Sequence, residues 1–137
     1  MATMETVETT FDGVKLLVPL VAGNGPMAFP HDSFETFDKY CGAGWSRFIV
    51  PDWMFGVNMG PACYIHDVMF EMADRTSADF HHTNSVFLHN MLAIHYHFTG
   101  LKDPHKYDRL HRIVSYYHAV DTGLGKVLFG KCEDEVT

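Results

Sequence analysis

The run Cys63-Tyr64-Ile65-His66-Asp67 sets an imidazole and a carboxylate side by side in an apolar segment. On a helix, neighbouring residues point about 100° apart, so the pair can serve one cavity from two directions. His66 then has the chemistry of a general base acting on a water, and Asp67 that of a ligand for a metal ion beside it. The same dipeptide also fits a plainer role, a histidine hydrogen-bonded inside the core and an aspartate facing solvent. Upstream, Tyr40-Cys41-Gly42-Ala43-Gly44 is a glycine-rich loop with no phosphate-binding helix after it. Such a loop can turn successive carbonyls toward one point, and Ca²⁺ takes roughly six to eight oxygen ligands, many of them carbonyls. Loop carbonyls joined by the Asp67 carboxylate make a candidate Ca²⁺ site.

Y-C-G-x-G followed by C-x-x-H-D resembles the secreted phospholipase A2 superfamily. The resemblance implies Ca²⁺ bound by the carbonyls of Tyr40, Gly42 and Gly44 and by Asp67. It also implies His66 as the base that activates a water against the sn-2 ester of a phospholipid, with Ca²⁺ stabilising the oxyanion. A disulfide from Cys41 to Cys63 follows from the same resemblance. Three departures stand out. The gap from loop to helix is longer than in the animal enzymes. Phe70 stands where the family has a tyrosine. The family's second aspartate, which orients the base, has Asn84 as its best-placed counterpart, on the inward stripe of the next helix. An asparagine can accept a hydrogen bond from His66 but cannot stabilise an imidazolium by charge, so a weak enzyme is expected.

A second resemblance covers roughly residues 50 to 129. H-D-x-x-[YF], an A-D-x-x-F-like helix and Y-Y-x-A-V-x-x-G are similar to a small domain of unknown function from tailed phages and prophages. The matching residues are His66, Asp67, Phe70, Asn84, Phe87, Tyr116, Tyr117, Ala119, Val120 and Gly123. This resemblance carries no settled activity. It implies a non-catalytic, virion-associated structural or accessory protein with an assembly partner, in which the His-Asp pair only pins two helices together.

The chain has ten His, and His81, His82, His89, His95 and His97 crowd one helix. None of these forms the i, i+4 His pair that signals a zinc site on a helix. They are expected on a solvated face, with His95 in the core or behind the site; His111 and His118, seven apart on the third helix, share a face that could meet His95. The aromatic run Phe34, Phe37, Tyr40, Trp45, Phe48, Trp53 and Phe55 is expected to be core or protein interface. Only Lys39 and Arg47 lie near it, too few cations for a membrane-surface patch.

The elements that must position these groups are legible in part. Val14, Leu16, Val18 and Leu20 alternate as in a strand behind an Asp12-Gly13 turn, and residues 22–33 are a loop. One helix is expected from Pro61 to Ala73 and a second from Ser77, capped by Thr76 or Ser77, to a stop at Gly100. A third is expected with Asp103 as N-cap and Pro104 at its first position, with Tyr107, Leu110, Val114 and Tyr117 on one face, ending before Gly123. The expected fold class is mainly α: an antiparallel helix pair with a third helix packed across it, and an irregular N-terminal half with short strands. One domain of 137 residues is expected, with a loop and short-strand part over 1–60, a helical part over 61–123 and a tail over 124–137.

Composition bounds the remaining choices. With 47% hydrophobic and 20% charged residues the chain is globular rather than disordered. Ten Lys and Arg against 17 Asp and Glu give a net charge of -7, which argues against nucleic acid as a partner. No apolar run approaches the roughly 20 residues of a membrane span. Residues 1–10 are acidic and polar, unlike a signal peptide, so a cytoplasmic or virion-associated protein is expected. Three cysteines are too few for a disulfide framework.

Overall fold

The computed structural model describes residues 5–21, 25–37, 53–73, 76–100 and 102–122. The chain begins with an antiparallel meander: β1 (Thr6–Phe11), β2 (Val14–Val21) and β3 (Gly25–Pro26), in the order β1-β2-β3. The register runs from Phe11 opposite Val14 to Thr6 opposite Pro19. The two-residue connection carries positive φ at both positions, 47° at Asp12 and 84° at Gly13, as a twist-matched hairpin turn requires. β2 turns Val14, Leu16 and Val18 into the core and Lys15 to solvent. A second hairpin joins β4 (Trp53–Met54) to β5 (Val57–Asn58) through Phe55-Gly56, again with positive φ at both residues. Three helices follow: α1 (Gly60–Met72), α2 (Ser77–Phe98) and α3 (Lys106–Val120).

The fold class is therefore α+β and not mainly α. About 55% of the described residues are helical and about a fifth are strand, in two small antiparallel sheets. β1 is the element that the sequence conceals. Its burial pattern has one fully buried residue, Phe11, so its acidic, threonine-rich run resembles a solvated tail. Backbone pairing with β2 makes it a strand.

α1 and α2 form where expected. Pro61 occupies the first turn of α1, where its missing N–H is not needed. Thr76 Oγ1 accepts from the Asp79 N–H at 3.1 Å and caps α2. Phe80 packs on Phe70 and Ala73 near the connection, while His66 meets Asn84 and Phe87 further along, so α1 and α2 run antiparallel. Contacts of His81 with Asp121 and of Arg109 with Thr99 show that α3 returns antiparallel along α2.

α3 departs from expectation at its start and in its face. Asp103 Oδ1 accepts from the His105 N–H at 2.9 Å, residues 104–105 form a turn, and the helix begins at Lys106. Its buried residues are Arg109, Ile113 and Val120, whereas Tyr107 and Val114 are 74% and 51% exposed. The cause is Arg109. Its guanidinium donates to the carbonyls of Met54 at 3.0 Å and Phe55 at 2.7 Å, to Asp103 Oδ2 at 2.9 Å and to Thr99 Oγ1 at 3.1 Å. A buried arginine is tolerated when its donors are met in this way, and here it clamps the β4–β5 hairpin to α3.

Two asparagines dock the remaining elements. Asn90 on α2 exchanges two hydrogen bonds of 2.8 Å with the backbone of Leu17, joining α2 to β2. Asn58 donates to the carbonyls of Phe34 and Phe37 and accepts from the Gly60 N–H at 2.8 Å. A side chain at Gly60 would press Asn58 Oδ1 at 2.9 Å and Phe37 at 3.2 Å, so the start of α1 has to be glycine to sit this close. Phe34 and Phe37 are core, and Phe11 meets them edge-on at 5.3 Å, whereas Trp53 is 53% exposed. No helix among the described residues is long and apolar enough to cross a membrane.

Candidate functional site

His66 lies on the buried face of α1 and is 1% exposed. Its ring lies 4.4 Å from that of Phe87 and 6.2 Å from that of Phe70. Nε2 is 2.9 Å from Asn84 Oδ1 across the α1–α2 interface. The direction of this bond follows from the other end of the amide. Asn84 Nδ2 faces two acceptors, the Val120 carbonyl at 3.2 Å and Asp121 Oδ1 at 3.0 Å. An NH₂ group has to donate to both, which leaves Oδ1 toward His66. The imidazole then donates from Nε2 and carries its lone pair on Nδ1.

Burial disfavours the charged imidazolium and lowers the pKa of His66 to about 4, with the Asn84 hydrogen bond acting the other way. At neutral pH the ring is a neutral base. Asp67, one residue on, is half-buried, and its Oδ1 is enclosed with no hydrogen-bond partner among the described residues. Burial and then the like charge of Glu71, one turn along α1, raise its carboxyl to about 7. Asp67 is the carboxylate that the sequence resemblance makes a Ca²⁺ ligand. Tyr40, Gly42 and Gly44, the other expected ligands, lie outside the described residues, as do Trp45 and Cys41. Among the described residues no cluster of three or more His, Cys, Asp or Glu could hold a metal ion.

The expected base and its expected orienter are thus brought together, and more of the matched residues converge there. Phe70, Phe87 and Val120 all surround or contact the His66–Asn84 pair. His95 is not part of this site. It is buried beside Arg109 and Thr99, at the far end of α2, where burial and then the Arg109 charge lower its pKa. His111 and His118 are exposed. A cleft of about 320 Å³ lined by His95, Tyr96, Thr99, Lys106 and Tyr107 opens at that same end, away from His66.

Asp121 is the member that sequence reasoning missed. It caps the C-terminal end of α3, where an acidic side chain faces the negative end of the helix dipole. That unfavourable placement, inside the Y-Y-x-A-V-x-x-G pattern, is the available signal. Asp121 Oδ1 also accepts from His81 Nδ1 at 2.7 Å, and Oδ2 from the Tyr117 hydroxyl at 3.4 Å. Cys63, one turn before Asp67, is disulfide-bonded, and the chain's other cysteines, Cys41 and Cys132, lie outside the described residues. No family model matches the chain, and no curated protein or solved structure matches it either.

Proposed function

We propose that this protein is a phospholipase A2-like hydrolase of phospholipid esters. In this reading His66 accepts through Nδ1 a proton from the attacking water, and Asn84 holds the ring from Nε2. Asp67, with the carbonyls of Tyr40, Gly42 and Gly44, would hold Ca²⁺. The bound ion would supply positive charge where the ester carbonyl becomes an oxyanion. A Cys63–Cys41 pairing would fasten the loop to α1 next to the base. A disulfide also suits an oxidising compartment or a virion better than the cytosol.

The observation that carries the proposal is the direction of the imidazole. Its donating nitrogen is occupied by an amide oxygen, the basic nitrogen lies on the other side, and a carboxylate with an enclosed oxygen, unpartnered among the described residues, follows one residue later. The test is fatty-acid release from phosphatidylcholine vesicles with Ca²⁺ or with a chelator. Release that requires Ca²⁺ and falls about 10²- to 10⁴-fold in His66→Gln is expected. Release that survives His66→Gln, or no release from the wild-type protein, would reject the assignment.

One observation favours a second reading, a non-catalytic accessory protein of an assembly such as a phage particle. His66, Asn84 and the Val120 carbonyl tie all three helices together, and His66 is 1% exposed. A wild-type protein with no ester hydrolysis and no response to Ca²⁺, found in a defined assembly, supports this alternative.

A further inference from the structure

The amide of Asn84 has no preference of its own for which end meets His66. Turned by half a rotation, it would present N–H to Nε2, and the imidazole would then have to carry its proton on Nδ1. That form has no lone pair on Nδ1 and cannot take a proton there. Something outside the pair therefore decides whether His66 is a base at the nitrogen where the proposed reaction needs one.

Asp121 is built for that task. A carboxylate only accepts hydrogen bonds, so Oδ1 at 3.0 Å from Asn84 Nδ2 rewards one orientation of the amide and repels the other. The carboxylate is itself held. His81 Nδ1, on α2, donates to Oδ1 at 2.7 Å, and the Tyr117 hydroxyl, on α3, donates to Oδ2 at 3.4 Å. Its backbone N–H donates to the Tyr117 carbonyl at 2.9 Å, which fixes the residue at the end of α3. Asp121 is 20% exposed at its side chain, so its charge is partly shielded from water. The Val120 carbonyl adds a second, neutral acceptor at the longer distance of 3.2 Å.

We infer that Asp121 is a positioning residue: acting through the Asn84 amide, it holds the His66 imidazole in the form protonated on Nε2 and basic on Nδ1. The carboxylate that a histidine base calls for is thus present, displaced by one residue along a relay. The consequence for catalysis rests on the hydrolase assignment above; the relay itself does not.

The test is ¹⁵N NMR of the His66 ring nitrogens in the full chain above pH 7, where the ring is neutral. Wild type shows a protonated Nε2 and a lone-pair Nδ1. In Asp121→Ala the population protonated on Nδ1 rises roughly tenfold or more, because the remaining bond to Val120 is a weaker, neutral one. Asn84→Asp alone sets two carboxylates against each other and loses stability. Combining it with Asp121→Asn gives residue 84 a donor again and recovers part of the lost stability, while the Val120 carbonyl still faces an acceptor, and Nε2 of the ring stays protonated. A wild-type pattern in folded Asp121→Ala would assign the orientation to Val120 and overturn the proposal, as would a double variant no more stable than Asn84→Asp. These readouts need no enzymatic turnover. Absence of ester hydrolysis rejects the assigned activity and leaves the relay to its own result; in an active enzyme, Asp121→Ala lowers kcat with little change in KM.

Discussion

Nε2 of His66 and Oδ1 of Asn84 stand 2.9 Å apart with both residues almost fully buried, and the same amide reaches Val120 and Asp121 on its other side. One side chain thereby connects α1, α2 and α3. Asn84→Leu leaves the imidazole N–H and the Val120 carbonyl without this partner. A loss of about 2–4 kcal/mol is expected, measured as a shifted urea midpoint. A loss below about 0.5 kcal/mol would mean that the bond does not hold the helices together.

Acid dependence should reveal the two site groups as opponents. The pKa of His66 drops from 6.5 to about 4 on folding, so its contribution is complete above pH 6.5 and is lost as pH falls toward 4. Asp67 rises from 3.8 to about 7, so its contribution is complete below pH 3.8 and is lost as pH rises through 7. Between about pH 4 and 6.5 the unfolded chain binds nearly one proton more at His66 and nearly one fewer at Asp67, and the slopes cancel. Asp67→Asn removes one of them. Its stability should climb across that range more steeply than the wild type's, by up to about 3 kcal/mol. Urea titrations at several pH values measure it, and parallel profiles for the two proteins would contradict the assignment.

Calcium should act through the same carboxylate. A ligand present at about 100 times its Kd stabilises the folded state by about 2.7 kcal/mol. Thermal melts with Ca²⁺ against chelator should show this gain in the wild type and none in Asp67→Ala. The gain should shrink below pH 7, where Asp67 binds a proton instead. A Ca²⁺ shift that survives Asp67→Ala would place the ion elsewhere.

Arg109 is the third pressure point. Arg109→Leu leaves Asp103 without its cation and the Met54 and Phe55 carbonyls without the guanidinium donors. A loss of about 3–5 kcal/mol is expected, because one partner of a buried network has been removed. Hydrogen exchange should also show the β4–β5 hairpin opening before the α1–α2 pair. Equal protection of both regions in the variant would show that the guanidinium does not anchor the hairpin.

Local sequence alone determined the features that rest on local chemistry. Asp12-Gly13 marked the hairpin turn, Pro61 the first turn of α1, and Thr76 or Ser77 the cap of α2, of which the structure uses Thr76, since each depends on backbone geometry or on groups within three residues. The facing of His66 and Asn84 was legible too, because helical spacing puts each on an inward stripe. Tertiary structure decided the rest. β1 is a strand because β2 lies beside it, not because its own residues are buried. α3 turns Arg109 inward, against the helical pattern of its apolar residues, because acceptors 54 and 55 residues away in the chain meet its guanidinium there. Asp121 joins the site through a bond to Asn84, 37 residues earlier. Charged and polar groups choose their place by partners rather than by periodicity, and those partners come into range only when distant segments pack together.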